Sequence, residues 1–246
     1  IESHLNPFNT QYIFYPLGFS FGEHGGLNAL FSVPLQYIFG LVGTYNVLWL
    51  CSFPLAAFGM FLLSRHLTGS SIGSFVAGFV FGFSPFHFGH GMGHLDIASL
   101  QWIPFYVLYF IKGAESNGKR NIFTAALFFS LATLESWYQG FYLLIFSLLL
   151  VIFMSMLPGN RYRDSPVKLA AVLGISSVLT SPFLIPTIIY SLQNPETFRP
   201  VAELIQNSPS LADFFHPGWM NPIFRRCCWP LLAFAHGEAA VFTGYT

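Results

Sequence analysis

Long apolar runs alternate with short polar segments along most of this chain. Six runs stand out, at about residues 43–63, 70–86, 97–111, 121–135, 140–157 and 168–190. A helix of about 20 apolar residues is long enough to cross the hydrocarbon core of a bilayer. The pattern therefore predicts an all-α fold, a polytopic transmembrane helical bundle with about six spans in this chain.

The two ends of the chain lack runs of this kind. Residues 1–42 predict an outer loop followed by an interfacial or re-entrant helix, because the apolar stretch at 27–39 is short and contains Pro34. Residues 43–190 form the predicted bundle. Residues 191–246 are polar and punctuated by proline, which predicts one long outer segment. Because the chain starts at Ile1 without a complete first span, we expect it to be a fragment of a larger protein.

The composition agrees with a membrane protein. Hydrophobic residues make up 54% of the chain and charged residues only 8%, whereas soluble proteins carry about 25% charged residues. Such a chain cannot cover itself with a water-compatible surface. No basic stretch is long enough to follow a phosphate backbone, so nucleic acid is excluded as a partner.

Lysine and arginine fall on one side of the predicted spans. Seven of the ten lie in three loops, at Arg65, at Lys112, Lys119 and Arg120, and at Arg161, Arg163 and Lys168. Cytoplasmic loops of membrane proteins carry an excess of these residues. The loops on the opposite side hold nearly all the histidines and most of the carboxylates, so we expect the outer face to be the active one.

The segment after the second predicted span is the richest in candidate ligands. It contains His87, His90, His94 and Asp96. Of these, His90, His94 and Asp96 have the ligand types for a divalent metal such as Mg or Mn. The glycines between them favour an irregular loop close to another backbone or a ligand. A metal site, a phosphate- or sugar-binding loop and purely structural histidines all remain open.

A polar turn separates the fourth and fifth predicted spans. It reads Glu135-Ser136-Trp137-Tyr138-Gln139. A carboxylate between two membrane segments is costly and usually faces a cavity, which makes Glu135 a candidate binding residue. Trp137 and Tyr138 can stack on sugar rings or act as interfacial anchors.

The outer segment at 191–246 adds three candidates. Asp213 and His216 are three residues apart, so on one helical turn they would form a carboxylate–imidazole pair able to bind a cation or move a proton. Asp213 can equally cap a helix. Glu238 precedes Gly244-Tyr245 and is the third candidate.

The sequence lacks the motifs of several common enzyme classes. These are the serine hydrolases, the P-loop and Rossmann nucleotide-binding proteins and the zinc proteases, so those classes have no support.

The order of several short motifs resembles a known family. They are Asn6-Pro7-Phe8, Tyr15-Pro16-Leu17-Gly18, Phe83-Ser84-Pro85, Gln101-Trp102-Ile103-Pro104, Ala212-Asp213 with His216-Pro217, and Glu238 with Gly244-Tyr245. In this order the chain resembles large bacterial and archaeal integral-membrane glycosyltransferases of the GT-C class. The resemblance extends over essentially the whole chain.

The resemblance implies a multi-pass enzyme of the cytoplasmic (plasma) membrane. Its donor would be a polyprenyl-phosphate-linked sugar, and its acceptor a lipid, glycan or protein outside the membrane. The catalytic carboxylate of such enzymes usually lies in the first outer loop, which we expect upstream of Ile1. Asp213, His216, His94 and Asp96 would then line the sugar-phosphate site, with Glu135 nearby.

Two other classes compete with a transferase. A polytopic transporter or lipid-glycan flippase would use helices broken near Pro182, Pro186 and Glu135 to build a site at mid-depth. A non-catalytic membrane subunit would only assemble with partners. Carboxylates at the outer surface favour the transferase, and carboxylates at mid-depth favour the carrier.

Overall fold

The computed structural model describes residues 9–10, 19–20, 26–91, 93–116, 118–158 and 161–193. These residues are almost entirely helical. The helices are α1 Gly26–Thr68, α2 Ser71–Gly82, α3 Pro85–Gly91, α4 Leu95–Ala98, α5 Trp102–Glu115, α6 Lys119–Glu135, α7 Trp137–Met156 and α8 Ser165–Gln193. Two short strands, β1 Asn9–Thr10 and β2 Phe19–Ser20, pair antiparallel, with Asn9 opposite Ser20.

Four stretches of helix are long and apolar enough to cross a membrane. They are Gly26–Thr68, Ser71–Gly91, Trp137–Met156 and Ser165–Ile189. These helices coincide with four of the six predicted spans, those at 43–63, 70–86, 140–157 and 168–190. Large apolar side chains on these helices face outward, for example Ile72 with 82% of its surface exposed. These helices therefore indicate an all-helical, multi-pass membrane protein.

The other two predicted spans correspond to shorter helices. The run at 97–111 divides into α4 and α5, and α5 has 14 residues, or a length of about 21 Å. The run at 121–135 corresponds to α6, which has 17 residues. A bilayer core is about 30 Å thick. Neither helix is among the candidate spans, so four of the six predicted spans have helices of sufficient length.

Helix α1 is kinked at Gly40. With 43 residues it would be about 65 Å long if straight, more than twice the thickness of a bilayer core. Gly40 has φ 66° and ψ 178°, a backbone conformation that is essentially restricted to glycine. The kink separates residues 26–39 from the helix that ends at Thr68. The predicted boundary between residues 1–42 and the bundle lies close to this kink, and the interfacial or re-entrant position of the short helix stays a prediction.

Helix α5 lies at the centre of the bundle, packed against α1, α6 and α8. Tyr106, Leu108 and Phe110 on this helix are almost completely buried. The Tyr106 hydroxyl is hydrogen-bonded to Ser147 Oγ on α7 at 2.5 Å. Ser147 Oγ in turn donates to the Leu143 carbonyl oxygen. The apolar side chains of this short helix are therefore covered largely by neighbouring helices of the bundle.

Helices α1 and α2 approach each other closely at two glycines. A Cβ atom at Gly78 would lie 2.5 Å from the Ala57 carbonyl oxygen, and one at Gly82 would lie 2.7 Å from Ala57 Cβ. Glycine is the only residue that permits this distance between the two backbones. The close helix approach predicted from the glycines of the second span is confirmed at these positions. At Gly73 an added Cβ would meet only Ser70.

The basic loops converge on one carboxylate, Glu115, at the end of α5. His66 Nε2 lies 3.0 Å from Glu115 Oε2, and Arg161 lies 3.1 Å from Glu115 Oε1. The Tyr162 hydroxyl donates to the same carboxylate at 3.2 Å. Lys168 Nζ donates to the carbonyl oxygen of Ala114 at 3.1 Å. The loops predicted to be cytoplasmic therefore meet at one end of the bundle.

Candidate functional site

Glu135 lies at the opposite end of α6 from Lys119, at the junction with α7. Ser136 interrupts the helix with an extended backbone (φ −152°, ψ 128°), so α6 ends at Glu135 and α7 begins at Trp137. The first turn of α1 packs against the end of α6, since a Cβ at Gly26 would lie 3.5 Å from the Leu134 carbonyl oxygen. The Glu135 side chain is completely buried at this junction.

The carboxylate of Glu135 is surrounded by polar groups. Ser99, Asp96 and the backbone amide of Asn28 lie near enough to affect its ionisation. Within the described part of the chain, neither carboxylate oxygen has a partner at good hydrogen-bonding geometry. Burial raises the pKa of Glu135 to about 8. The Ser99 hydroxyl and, to a smaller extent, the Asn28 backbone amide lower this pKa, whereas the negative charge of Asp96 raises it further. Glu135 lies outside the four candidate spans.

Two side-chain amides hold α4 beside this carboxylate. Asn28 Nδ2 donates to Ser99 Oγ at 2.9 Å, and Ser99 Oγ donates to the Leu95 carbonyl oxygen at 2.7 Å. Gln139 Nε2 lies within hydrogen-bonding distance of three carbonyl oxygens, those of Asp96 (2.9 Å), Ile97 (3.2 Å) and Ser99 (3.3 Å). Helix α4 has only four residues, so these bonds from α1 and α7 determine its position.

We call this group of residues the Glu135 cluster. Its members are Asn28, Asp96, Ser99, Glu135, Ser136 and Gln139. All except Asp96 are buried, with at most 9% of their surface exposed. They come from α1, α4 and its C-terminal cap, the α6–α7 junction and α7.

An apolar groove lies next to the cluster, and Gln139 belongs to both. The groove has a volume of about 340 Å³. Its walls include Ile97, Ile103, Val107, Gln139, Tyr142 and Phe146. We call it the α5–α7 groove. The cluster and the apolar groove therefore share the Gln139 side chain.

The histidine-rich segment is helical over residues 85–91, not an irregular loop. Gly91 permits close packing on α1, since a Cβ there would lie 1.9 Å from Trp49 Nε1. His87 is completely buried. Its Nδ1 donates to the Gly82 carbonyl oxygen at 2.8 Å, its Nε2 is hydrogen-bonded to Ser52 Oγ at 2.7 Å, and its ring stacks on Phe53. His87 is therefore a structural residue.

The predicted metal ligands are His90, His94 and Asp96. His94 is exposed as the N-cap residue of α4, and its ring centroid lies 6.3 Å from that of His90. In the part of the chain that the structure describes, no three His, Cys, Asp or Glu residues are placed to hold a metal ion. The structure therefore brings no such set together in these residues, and binding of Mg or Mn by His90, His94 and Asp96 stays a prediction.

The remaining predicted site residues divide into two groups. Trp137 and Tyr138 directly follow the Glu135 junction, and Tyr138, 47% exposed, lines the α5–α7 groove. Asp213, His216 and Glu238 lie outside the described residues. Asp96 and Glu135 come together in the cluster. His94 adjoins it, as the residue that precedes α4.

Sequence reasoning missed Asn28, Ser99 and Gln139 as site residues. Asn28 and Ser99 are polar residues with apolar neighbours and Gln139 ends the polar turn at 135–139, which are the signals that could have found them. That signal does not say which of them meet, since Asn28 and Ser99 are 71 residues apart. Comparison of the chain with protein-family models, curated proteins and solved structures finds no match.

Proposed function

We propose that this chain is the membrane bundle of a glycosyltransferase that moves a sugar from a polyprenyl-phosphate donor to an extracytoplasmic lipid, glycan or protein. The observation that carries the proposal is the juxtaposition of the Glu135 cluster and the α5–α7 groove through Gln139. A polyprenyl-phosphate sugar has an apolar tail and a polar head, and this region offers one environment for each. The order of motifs that resembles the GT-C class supports the same function.

The groove is the part suited to the isoprenoid tail. Its lining is aliphatic and aromatic apart from the Gln139 amide and the Tyr138 and Tyr142 hydroxyls. Tyr138 and Tyr142 are 47% and 65% exposed, so the groove has an open side through which a lipid could enter. Burial of a branched hydrocarbon chain contributes about 0.8 kcal/mol for each CH₂ group.

The sugar would lie at the α4–α7 end of the groove. Trp137 and Tyr138 provide ring faces for stacking on the sugar, and carboxylate oxygens of Asp96 can accept bonds from its hydroxyl groups. In this proposal Glu135 binds and orients the polar head through the cluster and does not act as the catalytic base.

The test uses the full-length protein in proteoliposomes with radiolabelled polyprenyl-phosphate sugars and a membrane extract as acceptor. Ile103→Trp fills the groove, and Ile145→Trp makes the same change on an exposed face of α7. We expect the first variant to reduce transfer at least tenfold, mainly through a higher KM for the donor, and the second to retain transfer. Equal activity of both variants would overturn the assignment of the groove.

A carrier or lipid-glycan flippase is the second candidate function, and the burial of Glu135 favours it. Carriers place ionisable residues within the bundle rather than at its surface, and Glu135 is completely enclosed. The same proteoliposomes distinguish the two functions. Movement of the labelled lipid between leaflets without sugar transfer would support the carrier. Absence of both would leave the non-catalytic subunit.

A further inference from the structure

The Glu135 cluster contains a surplus of hydrogen-bond acceptors. Both carboxylate oxygens of Glu135, the hydroxyl oxygen of Ser136 and the amide oxygen of Gln139 are buried, and none has a well-oriented hydrogen-bond partner among the residues that the structure describes. The three residues are 0%, 1% and 6% exposed. Buried polar atoms in native proteins nearly always have a partner, so four such atoms on neighbouring residues point to a bound species.

The side-chain amides near these atoms donate to other acceptors, and the Ser136 hydroxyl and the Asn28 backbone amide can each supply only one proton to the four oxygens. Asn28 Nδ2 donates to Ser99 Oγ, and Gln139 Nε2 donates to the carbonyl oxygens of α4. A proton on Glu135 would join only two oxygens, the one that carries it and one acceptor. A cation, in contrast, contacts several oxygens at once, and hard cations prefer oxygen ligands.

We propose that Glu135, Ser136 and Gln139 form a binding site for a monovalent alkali cation, Na⁺. All the candidate ligands are oxygen atoms, which suits an alkali or alkaline-earth ion better than a transition metal. The charge selects the monovalent ion: one buried carboxylate balances one positive charge, and an unbalanced buried charge is strongly unfavourable. The nearby Asp96 carboxylate adds attraction from α4.

This site differs from the divalent-metal site expected at His90, His94 and Asp96, because its ligands lie at the α6–α7 junction. It also goes beyond the proposed transferase, since no step of sugar transfer requires it. Its expected effect is structural: the cation would join the end of α6 to the start of α7 where Ser136 interrupts the helix. Its binding can therefore be measured without a donor lipid or an acceptor.

The experiment measures thermal unfolding of the purified full-length protein in detergent, with NaCl replaced stepwise by choline chloride at constant ionic strength. We expect Na⁺ to raise the unfolding temperature in a saturable way, since a ligand that binds only the folded state stabilises it. Glu135→Gln should abolish this shift. Glu115→Gln, which changes the carboxylate at the opposite end of the bundle, should retain it.

Ser136→Ala is the second variant, for the case in which Glu135→Gln does not fold. It removes one ligand oxygen with little change in volume, and we expect the half-saturating Na⁺ concentration to rise at least fivefold. Binding of radioactive ²²Na⁺ to the wild-type protein and to Ser136→Ala gives the direct measurement. Equal unfolding temperatures in Na⁺ and choline, or the same Na⁺ response in wild type and Ser136→Ala, would overturn the proposal.

Discussion

The side-chain amide of Gln139 donates to the Asp96 carbonyl oxygen at 2.9 Å and thereby attaches the start of α7 to α4. The same amide lies within reach of the carbonyl oxygens of Ile97 and Ser99, and the side chain lines the α5–α7 groove. Gln139 therefore connects a buried carboxylate cluster with an apolar groove. A change at this residue should alter both.

Gln139→Leu tests this connection. It removes the donor to α4 while approximately preserving side-chain volume, so we expect a loss of about 1–3 kcal/mol in the free energy of unfolding. The amides of α4 should also exchange with deuterium faster. The control is Gln36→Leu, because Gln36 is exposed and its amide donates only to Ser32 within the same helix. Equal effects of the two substitutions would show that Gln139 does not hold α4.

Gly78→Ala tests the close packing of α1 and α2. The new methyl group would lie 2.5 Å from the Ala57 carbonyl oxygen, a backbone atom that cannot move aside alone. We expect a destabilisation of about 1–3 kcal/mol, measured by thermal unfolding in detergent. Gly174→Ala on α8 is the control, since an added Cβ there meets nothing within 4 Å. That control should be neutral or stabilising by about 0.5–1 kcal/mol.

Glu135 should make stability depend on pH. Its ordinary pKa is 4.5 and burial raises the pKa to about 8 in the folded protein. Between these values the folded protein retains a proton that the unfolded chain has lost, so stability falls as pH rises through this window and levels off above it. In choline chloride, Glu135→Gln should lose this component of the pH profile of the unfolding temperature. Glu115→Gln should keep it, and a profile unchanged by Glu135→Gln would contradict the prediction.

Membrane orientation can be tested with single cysteines. In a chain whose Cys51, Cys227 and Cys228 are replaced by serine, His94→Cys reports on the α4 end of the bundle and Lys119→Cys on the basic end. Both positions are exposed. By the positive-inside rule, a membrane-impermeant maleimide should label His94→Cys in intact cells and Lys119→Cys only after permeabilisation. The opposite pattern would invert the predicted topology.

The helices themselves could be predicted because they depend on local composition. The apolar runs identified the four long helices, and the glycines of the second run identified its packing against α1 at Gly78 and Gly82. The runs did not show which helices are long enough to cross the membrane. Helix α5 is as apolar as a span because α1, α6 and α8 surround it.

The sequence by itself determined that the chain forms helices, several of them apolar enough to cross a membrane, that its basic residues cluster between the apolar runs, and that Glu135 interrupts an apolar stretch. Only the tertiary structure decided what surrounds Glu135: the first turn of α1, the four-residue α4 and the Gln139 amide. The physical reason is the distance along the chain over which the interactions act. Apolar patterns report the environment along one helix, whereas the contact of Asn28 with Ser99 joins residues 71 positions apart and depends on how the whole bundle packs.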